Sequence, residues 1–309
     1  MRAMPQVEAP AAGQLRARSL DVRLLMIVGV TVVSWGSAFA GIRAALGAYT
    51  PAHLALLRYI VASLALAVYA AGTGMRLPRR RDLPGLALLG VVGISLYNLA
   101  LGYGEMTIPA GTASLLIAST PVWMALFAAL LFHEQLSALG WLGIGVSFAG
   151  AAVIALGTGG GLGVDPQALI VLAAALASAA YSLGQKPFLA RYSALECTAY
   201  AIWAGTALLV PFAPGLLDEV RAAPPMATLA VVYLGIVPAA LGYVLWAYIL
   251  GRVPAATAGS FLYLVPAAAA LIAWAWLGEA PAPLALLGGG LVIAGVILVN
   301  RWGRVRATS

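Results

Sequence analysis

The 309-residue chain is 63% hydrophobic and only 9% charged, whereas a soluble domain carries about 25% charge. Apolar runs of about 20 residues recur along it, each long enough to cross a hydrocarbon core of ~30 Å, and the alternating ten-residue strands of a membrane β-barrel are absent. The net charge of +7 sits in short connecting segments, so it reads as a topology signal rather than as affinity for nucleic acid.

Residues 1–20 are Ala/Pro/Arg-rich without an apolar period and are expected to form a disordered cytoplasmic tail. The first span is expected at Leu24–Leu46. A signal peptide cleaved near Ala38-Phe39-Ala40 fits the same residues, but cleavage would remove half of a helix that a two-fold architecture needs. Further spans are expected at Ala52–Ala71, Leu83–Tyr103, Ala110–Phe132 and Ala138–Leu156. The second half follows at Pro166–Leu189, Leu195–Pro214, Met226–Leu250, Ala255–Leu277 and Pro283–Trp302. The single cysteine, Cys197, leaves no internal disulfide and no thiolate-based zinc or iron–sulfur site, so no metal or other cofactor is expected.

With the N-terminus inside, the inner segments hold Arg16, Arg18 and Arg23; Arg76, Arg79, Arg80 and Arg81; Lys186 and Arg191; Arg252; and Arg301, Arg304 and Arg306. The outer segments hold little beyond Arg221, beside Asp218 and Glu219, and Arg43. The positive-inside rule therefore places both termini in the cytoplasm of an inner-membrane, multi-pass protein. Residues 303–309 form a second cytoplasmic tail.

One stretch occurs twice. Residues 109–154 align without a gap on residues 254–299 at a constant offset, 254 − 109 = 145. Pro109, Thr112, Ala113, Pro121, Glu134, Gly143, Gly145 and Gly150 recur as Pro254, Thr257, Ala258, Pro266, Glu279, Gly288, Gly290 and Gly295. Five spans per half makes the halves inverted, residues 21–156 against 166–302, with a glycine-rich outer linker at 157–165.

Pro121 and Pro266 fall near the middle of the fourth and ninth spans. A helix-interior proline frees a carbonyl and kinks the helix, and matched interruptions in two halves point to a midplane binding site. A duplicated packing kink is the plainer alternative. The glycines of the fifth and tenth spans read as scaffold that braces the halves or forms a dimer contact. Glu134 and Glu279, just before the next span, meet a helix dipole or couple to protons. Arg58 lies about two turns into the second span. It either snorkels or binds a substrate carboxylate, or locks an outer gate with Glu105. Arg43 is shallower and reads as an anchor.

Polar and aromatic side chains collect at compatible depths: Trp35, Ser37, Asn98, Tyr103, Ser119, Trp123, Tyr181, Gln185, Tyr243, Trp246 and Tyr263, with Tyr97 as a further member. A lining of this kind suits a small zwitterion with an apolar side chain and not a multiply charged phosphate, which wants several Arg or Lys. Glu105, Glu134, Glu279, His53 and His133 are all near span ends, so a carboxylate relay within the membrane is not expected.

Trp35-Gly36-Ser37, Leu57-Arg58-Tyr59 and the doubled pattern of a glutamate followed by a glycine-spaced helix resemble the EamA-type branch of the drug/metabolite transporter superfamily, over about Leu24 to Trp302. The resemblance implies ten helices in two inverted five-helix repeats. It further implies a central cavity lined by helices one, three, four, six, eight and nine, and small-metabolite transport, commonly amino acid export. The sequence thus leads to an all-α integral membrane carrier, working by alternating access on a small molecule within a lipid bilayer. Import or facilitated exchange of another metabolite or drug is the neighbouring reading. An intramembrane enzyme would want clustered Asp, Glu or His at one face, and inverted repeats with kinked helices favour a carrier over a channel or receptor.

Overall fold

The computed structural model describes residues 22–131, 136–158, 165–253 and 255–302. The described residues form helices joined by short turns and irregular connectors, and among them ten segments are long and apolar enough to cross a membrane. In chain order they are α1 (Val22–Ala45), α2 (Pro51–Thr73), α3 (Arg80–Gly104), α4 (Ala110–Phe127), α5 (Ala138–Leu156), α6 (Pro166–Leu189), α7 (Ala194–Phe212), α8 (Pro225–Leu250), α9 (Thr257–Leu277) and α10 (Pro283–Trp302). A short helix, Leu216–Ala222, lies in the α7–α8 connector, where the sequence suggested only a loop. Glu134, His133, Pro254, both tails and residues 159–164 of the linker lie outside the described residues.

Local chemistry sets the helix ends. The Thr50 hydroxyl accepts from the His53 amide at 3.4 Å ahead of Pro51, and α2 ends at Gly74 in the left-handed region (φ 63°). Ser193 and Glu196 form a reciprocal capping box at the start of α7. Asp165 caps α6 through the Gln167 amide at 2.8 Å.

The glycine-spaced helices pack against each other. A Cβ on Gly143 would come within 2.7 Å of the Gly295 carbonyl oxygen, and one on Gly150 within 2.5 Å of the Gly288 carbonyl oxygen. The pairs run in opposite order along the chain, so α5 and α10 are antiparallel and their backbones touch. In lipid, where apolar side chains gain little from leaving solvent, this close packing is what holds helices together. Gly145 and Gly290 face no atom within 4 Å.

The duplication extends beyond what the sequence alignment reached. α3 widens into a π-helix at Val91–Leu96 and α8 does so at Gly235–Leu241, ending at matched positions, 241 − 96 = 145. Both spans read as continuous apolar runs in the sequence. The glycines at the start of these segments, 235 − 90 = 145, make matching contacts: a Cβ on Gly235 would meet the Arg58 carbonyl oxygen at 2.6 Å, and one on Gly90 would meet the Ala201 carbonyl oxygen and the Gly205 amide nitrogen. α4 breaks at Ala118–Ser119 and α9 tightens into a 3₁₀ turn at Leu262–Leu264. Four interruptions therefore face the middle of the bundle, and such widened or broken turns cluster at functional sites.

Candidate functional site: a central aromatic cavity with one guanidinium

A cavity with about 770 Å³ of atom-free space, part of it open, lies among seven helices. α1 contributes Trp35, Ala38, Phe39 and Ile42; α3 contributes Gly93, Tyr97 and Leu101; α4 contributes Ser114, Ile117, Ala118 and Thr120. Ser178, Tyr181 and Ser182 come from α6, Tyr243 and Trp246 from α8, and Leu262, Val265 and Pro266 from α9. Arg58 brings in α2, which the family resemblance had left out.

The aromatic wall is one interlocked unit. Trp35 packs on Trp246 with ring centroids 5.3 Å apart and meets Tyr243 edge-on at 5.8 Å, and Tyr243 meets Tyr181 edge-on at 5.7 Å. Hydrogen bonds fix it to the widened turns. Trp35 Nε1 donates to the Pro238 carbonyl at 3.1 Å, and the Tyr243 hydroxyl donates to the Gly93 carbonyl at 3.2 Å. The π-helices thus serve the site by offering carbonyls that the wall uses.

Arg58 is the one charged lining residue and is 4% exposed. Its Nη1 donates to Asn98 Oδ1 at 3.0 Å and its Nε to the Leu234 carbonyl at 3.3 Å. Asn98 is itself held by donating from Nδ2 to the Tyr59 hydroxyl and the Ile94 carbonyl, both at 2.8 Å. Among the described residues, no carboxylate lies within ion-pair distance of Arg58. A buried cation is stable when paired and costly when it is not, so this guanidinium is oriented by neutral groups and left with its charge uncompensated beside an empty space.

Of the residues singled out from sequence, Trp35, Arg58, Tyr181, Tyr243, Trp246, Tyr97 and Pro266 line the cavity. The others stand elsewhere. Asn98 is behind Arg58. Ser37 donates to the Ser34 carbonyl at 2.8 Å and shares a 2.5 Å hydrogen bond with Tyr233, tying α1 to α8. Ser119 and Thr120 donate at 2.7 Å to the Leu116 and Ile117 carbonyls, and the Ile117 carbonyl is the one that Pro121, lacking an amide hydrogen, leaves free. At Pro266 a different repair operates: the Val265 amide bonds the Leu262 carbonyl. Trp123 packs edge-on against Phe148 of α5 at 4.8 Å. Tyr263 accepts from Asn300 of α10, Tyr103 is 43% exposed, and Gln185 is fully buried one turn past Tyr181 with neither amide atom hydrogen-bonded. Depth alone missed Phe39, Ser178 and Ser182; the latter two share a helical face with Tyr181, a spacing visible in the sequence.

Ion pairs tie the two halves at both ends. At one end Arg43 Nε pairs with Glu279 Oε1 at 3.1 Å, and Arg43 Nη1 donates to the carbonyls of Glu105 and Met106 at 2.7 and 2.8 Å. Glu279 Oε2 accepts from the Ala110 amide at 3.3 Å, so this glutamate meets the start of α4 and not that of α10, which follows it in sequence. Arg43 is thus a bridge between halves and not merely an anchor. His53 Nδ1 lies 2.9 Å from Glu219 Oε2 at this end as well. At the opposite end of α3, Asp82 accepts from Arg191 at 2.9 Å and from the Tyr192 hydroxyl at 2.7 Å.

The profile of the EamA-like transporter family matches residues 23–156 and again residues 166–301. A probable terminal-alkyne amino-acid exporter of Streptantibioticus cattleyicolor is 48% identical over 91% of this chain and 95% of its own. An uncharacterized transporter of Bacillus subtilis, YdfC, is 37% identical over 94% of this chain and 96% of its own. A protein of known crystal structure superposes with a TM-score of 0.62 over 90% of this chain and 96% of its own at 20% identity, a likeness of fold.

Proposed function

This chain belongs to the EamA-like transporter family, and from that premise we propose that it exports amino acids with neutral, apolar side chains across the inner membrane by alternating access. The observation that carries the reading is Arg58: a buried guanidinium, oriented by Asn98 and the Leu234 carbonyl and without a carboxylate partner among the described residues, beside a cavity walled by aromatic rings. A carboxylate is the group such a charge takes up. The faces of Trp35, Tyr243 and Trp246 suit an ammonium group or an apolar side chain. A single arginine gives no place for a multiply charged phosphate. The name of the Streptantibioticus relative supports both the substrate class and the direction.

In this reading residues 21–156 and 166–302 are inverted halves joined by residues 157–165, both termini are cytoplasmic, and the Arg43–Glu279 end faces outward. The matched interruptions in α3, α4, α8 and α9 supply the bending points, with Pro121 and Pro266 as hinges. Counterflow in liposomes tests it. Vesicles of purified protein are loaded in turn with each of the twenty amino acids, and uptake of labelled partner is followed. Exchange confined to neutral apolar amino acids is the expected result. Exchange of none of them, with uptake of sugars or nucleotide-derived metabolites instead, would overturn the substrate assignment.

A further inference from the structure

Glu105 directly follows α3 as its C-cap, one turn beyond the cavity-lining Leu101, and Arg43 directly follows the cavity-lining Ile42. The sequence places Glu105 at a span end and so suggests a peripheral group. Yet Glu105 is fully buried, and neither of its carboxylate oxygens has a hydrogen-bond partner. The nearby guanidinium is engaged elsewhere: Arg43 holds the main-chain carbonyl of Glu105 at 2.7 Å but pairs with the carboxylate of Glu279. Two acids thus stand at one arginine, and the buried one goes without.

An ionised carboxylate without a partner is too costly to bury, and such a group keeps its proton instead. Burial pushes the Glu105 carboxyl well above the usual carboxylate range. Arg43 of α1 and Arg58 of α2 pull it down, and Glu279 of the α9–α10 connector pushes it further up. α6, which packs along α3, contributes Asp165 and Gln167 at its start, and Asp165 is committed to the Gln167 amide. At the same end, Glu219 Oε2 accepts from the Thr50 amide at 3.0 Å and lies 2.9 Å from His53 Nδ1, while His53 Nε2 lies 3.0 Å from the Pro214 carbonyl oxygen.

We propose that Glu105 is a proton-binding site that controls the Arg43–Glu279 bridge. With the proton bound, Arg43 pairs with Glu279 and the two halves are held together at this end. When the proton leaves, the new carboxylate takes Arg43, Glu279 is released and the end opens. No other ligand is required: the site accepts a proton and exchanges one ion pair for another. The raised carboxyl fixes the sign, since the bridged form is favoured in acid and is lost as pH rises through the Glu105 titration. The inference rests on the transport reading only in treating this end as a gate.

Nitroxide labels on Met106→Cys and Ala282→Cys, one on each side of the bridge, report the gap by pulsed electron resonance on the full chain in lipid nanodiscs without substrate. Met106 is 53% exposed, and the native Cys197 is fully buried and escapes the label. In the otherwise wild-type protein the short distance should dominate at pH 5 and give way to a longer one by about pH 9. Glu105→Gln, the shape of the protonated acid, should hold the short distance at both values. Glu105→Asp should restore a pH response, and Arg43→Gln should show the long distance throughout. A wild-type distance that ignores pH, a response that survives in Glu105→Gln, or one abolished by His53→Asn instead would each overturn the proposal. Because no substrate is present, these outcomes stand apart from the counterflow result, and each reading can fail without the other.

Discussion

Arg58 and Asn98 act as one group: the arginine's Nη1 donates to the Asn98 carbonyl oxygen at 3.0 Å, and the Asn98 amide is pinned between the Tyr59 hydroxyl and the Ile94 carbonyl. The guanidinium is therefore held in place by the protein itself, and in the proposed reading a carboxylate ligand would lose little in ordering it. Arg58→Gln should lower counterflow of a carboxylate-bearing substrate by roughly 10–100-fold, the equivalent of a charged hydrogen bond of about 1.5–3 kcal/mol, with folded yield retained. Exchange equal to wild type would remove Arg58 from the substrate site.

Asn98→Ala leaves a buried guanidinium hydrogen without its acceptor, and the Tyr59 hydroxyl and Ile94 carbonyl without the amide that donates to them. About 1–3 kcal/mol of stability should be lost, read as a lower melting temperature in detergent. Asn98→Asp should behave differently. It supplies a carboxylate that neutralises Arg58, so the protein should remain folded while carboxylate exchange falls. Full exchange by Asn98→Asp would show that the uncompensated charge is not what the substrate uses.

The interruptions in α4 and α9 should matter for movement more than for folding. Restoring continuity with Pro121→Ala and Pro266→Ala together should reduce flux at least several-fold while leaving yield nearly intact, measured as turnover per folded protein. Unchanged turnover would reduce the two prolines to packing features.

The α5–α10 contact gives a contrast within one helix. A Cβ at Gly150 would stand 2.5 Å from the Gly288 carbonyl oxygen, whereas one at Gly145 meets no atom within 4 Å. Gly150→Val should separate the backbones and cost at least about 1–3 kcal/mol, seen as loss of monodisperse protein on size-exclusion chromatography. Gly145→Val should behave as wild type. Equal behaviour of the two would contradict the backbone contact.

Much of this architecture is legible in the sequence because the bilayer imposes it. Apolar runs of spanning length mark α1 to α10 to within a few residues, and the recurrence of Pro121 and Gly150 at 266 and 295 marks two halves. What escaped has physical reasons. A π-helix inserts a residue without any proline or charge to announce it, so Val91–Leu96 looked continuous, and Pro238 in the matching segment of α8 was the one available sign. Depth along a helix does not tell which way a side chain faces, so Trp123 and Tyr181, both aromatic and at compatible depths, ended on a helix–helix seam and in the cavity respectively. Nor does closeness to a span end imply exposure: Glu105 is covered by segments from elsewhere in the chain, contacts that no local pattern records.

The duplicated frame is not duplicated in its chemistry. The Arg58 carbonyl meets Gly235 where the Ala201 carbonyl meets Gly90, so the place that holds a guanidinium in one half holds a methyl group in the other. A container built from two like parts thereby acquires a head and a tail. In the reading proposed above, an unsymmetrical cargo would be received one way round, its acidic end toward α2, and enantiomers of the same compound would turn their side chains toward different walls. Any preference for one hand would then come from that one charge acting together with the aromatic wall, whose Tyr243 and Trp246 stand where the other half has Asn98 and Leu101.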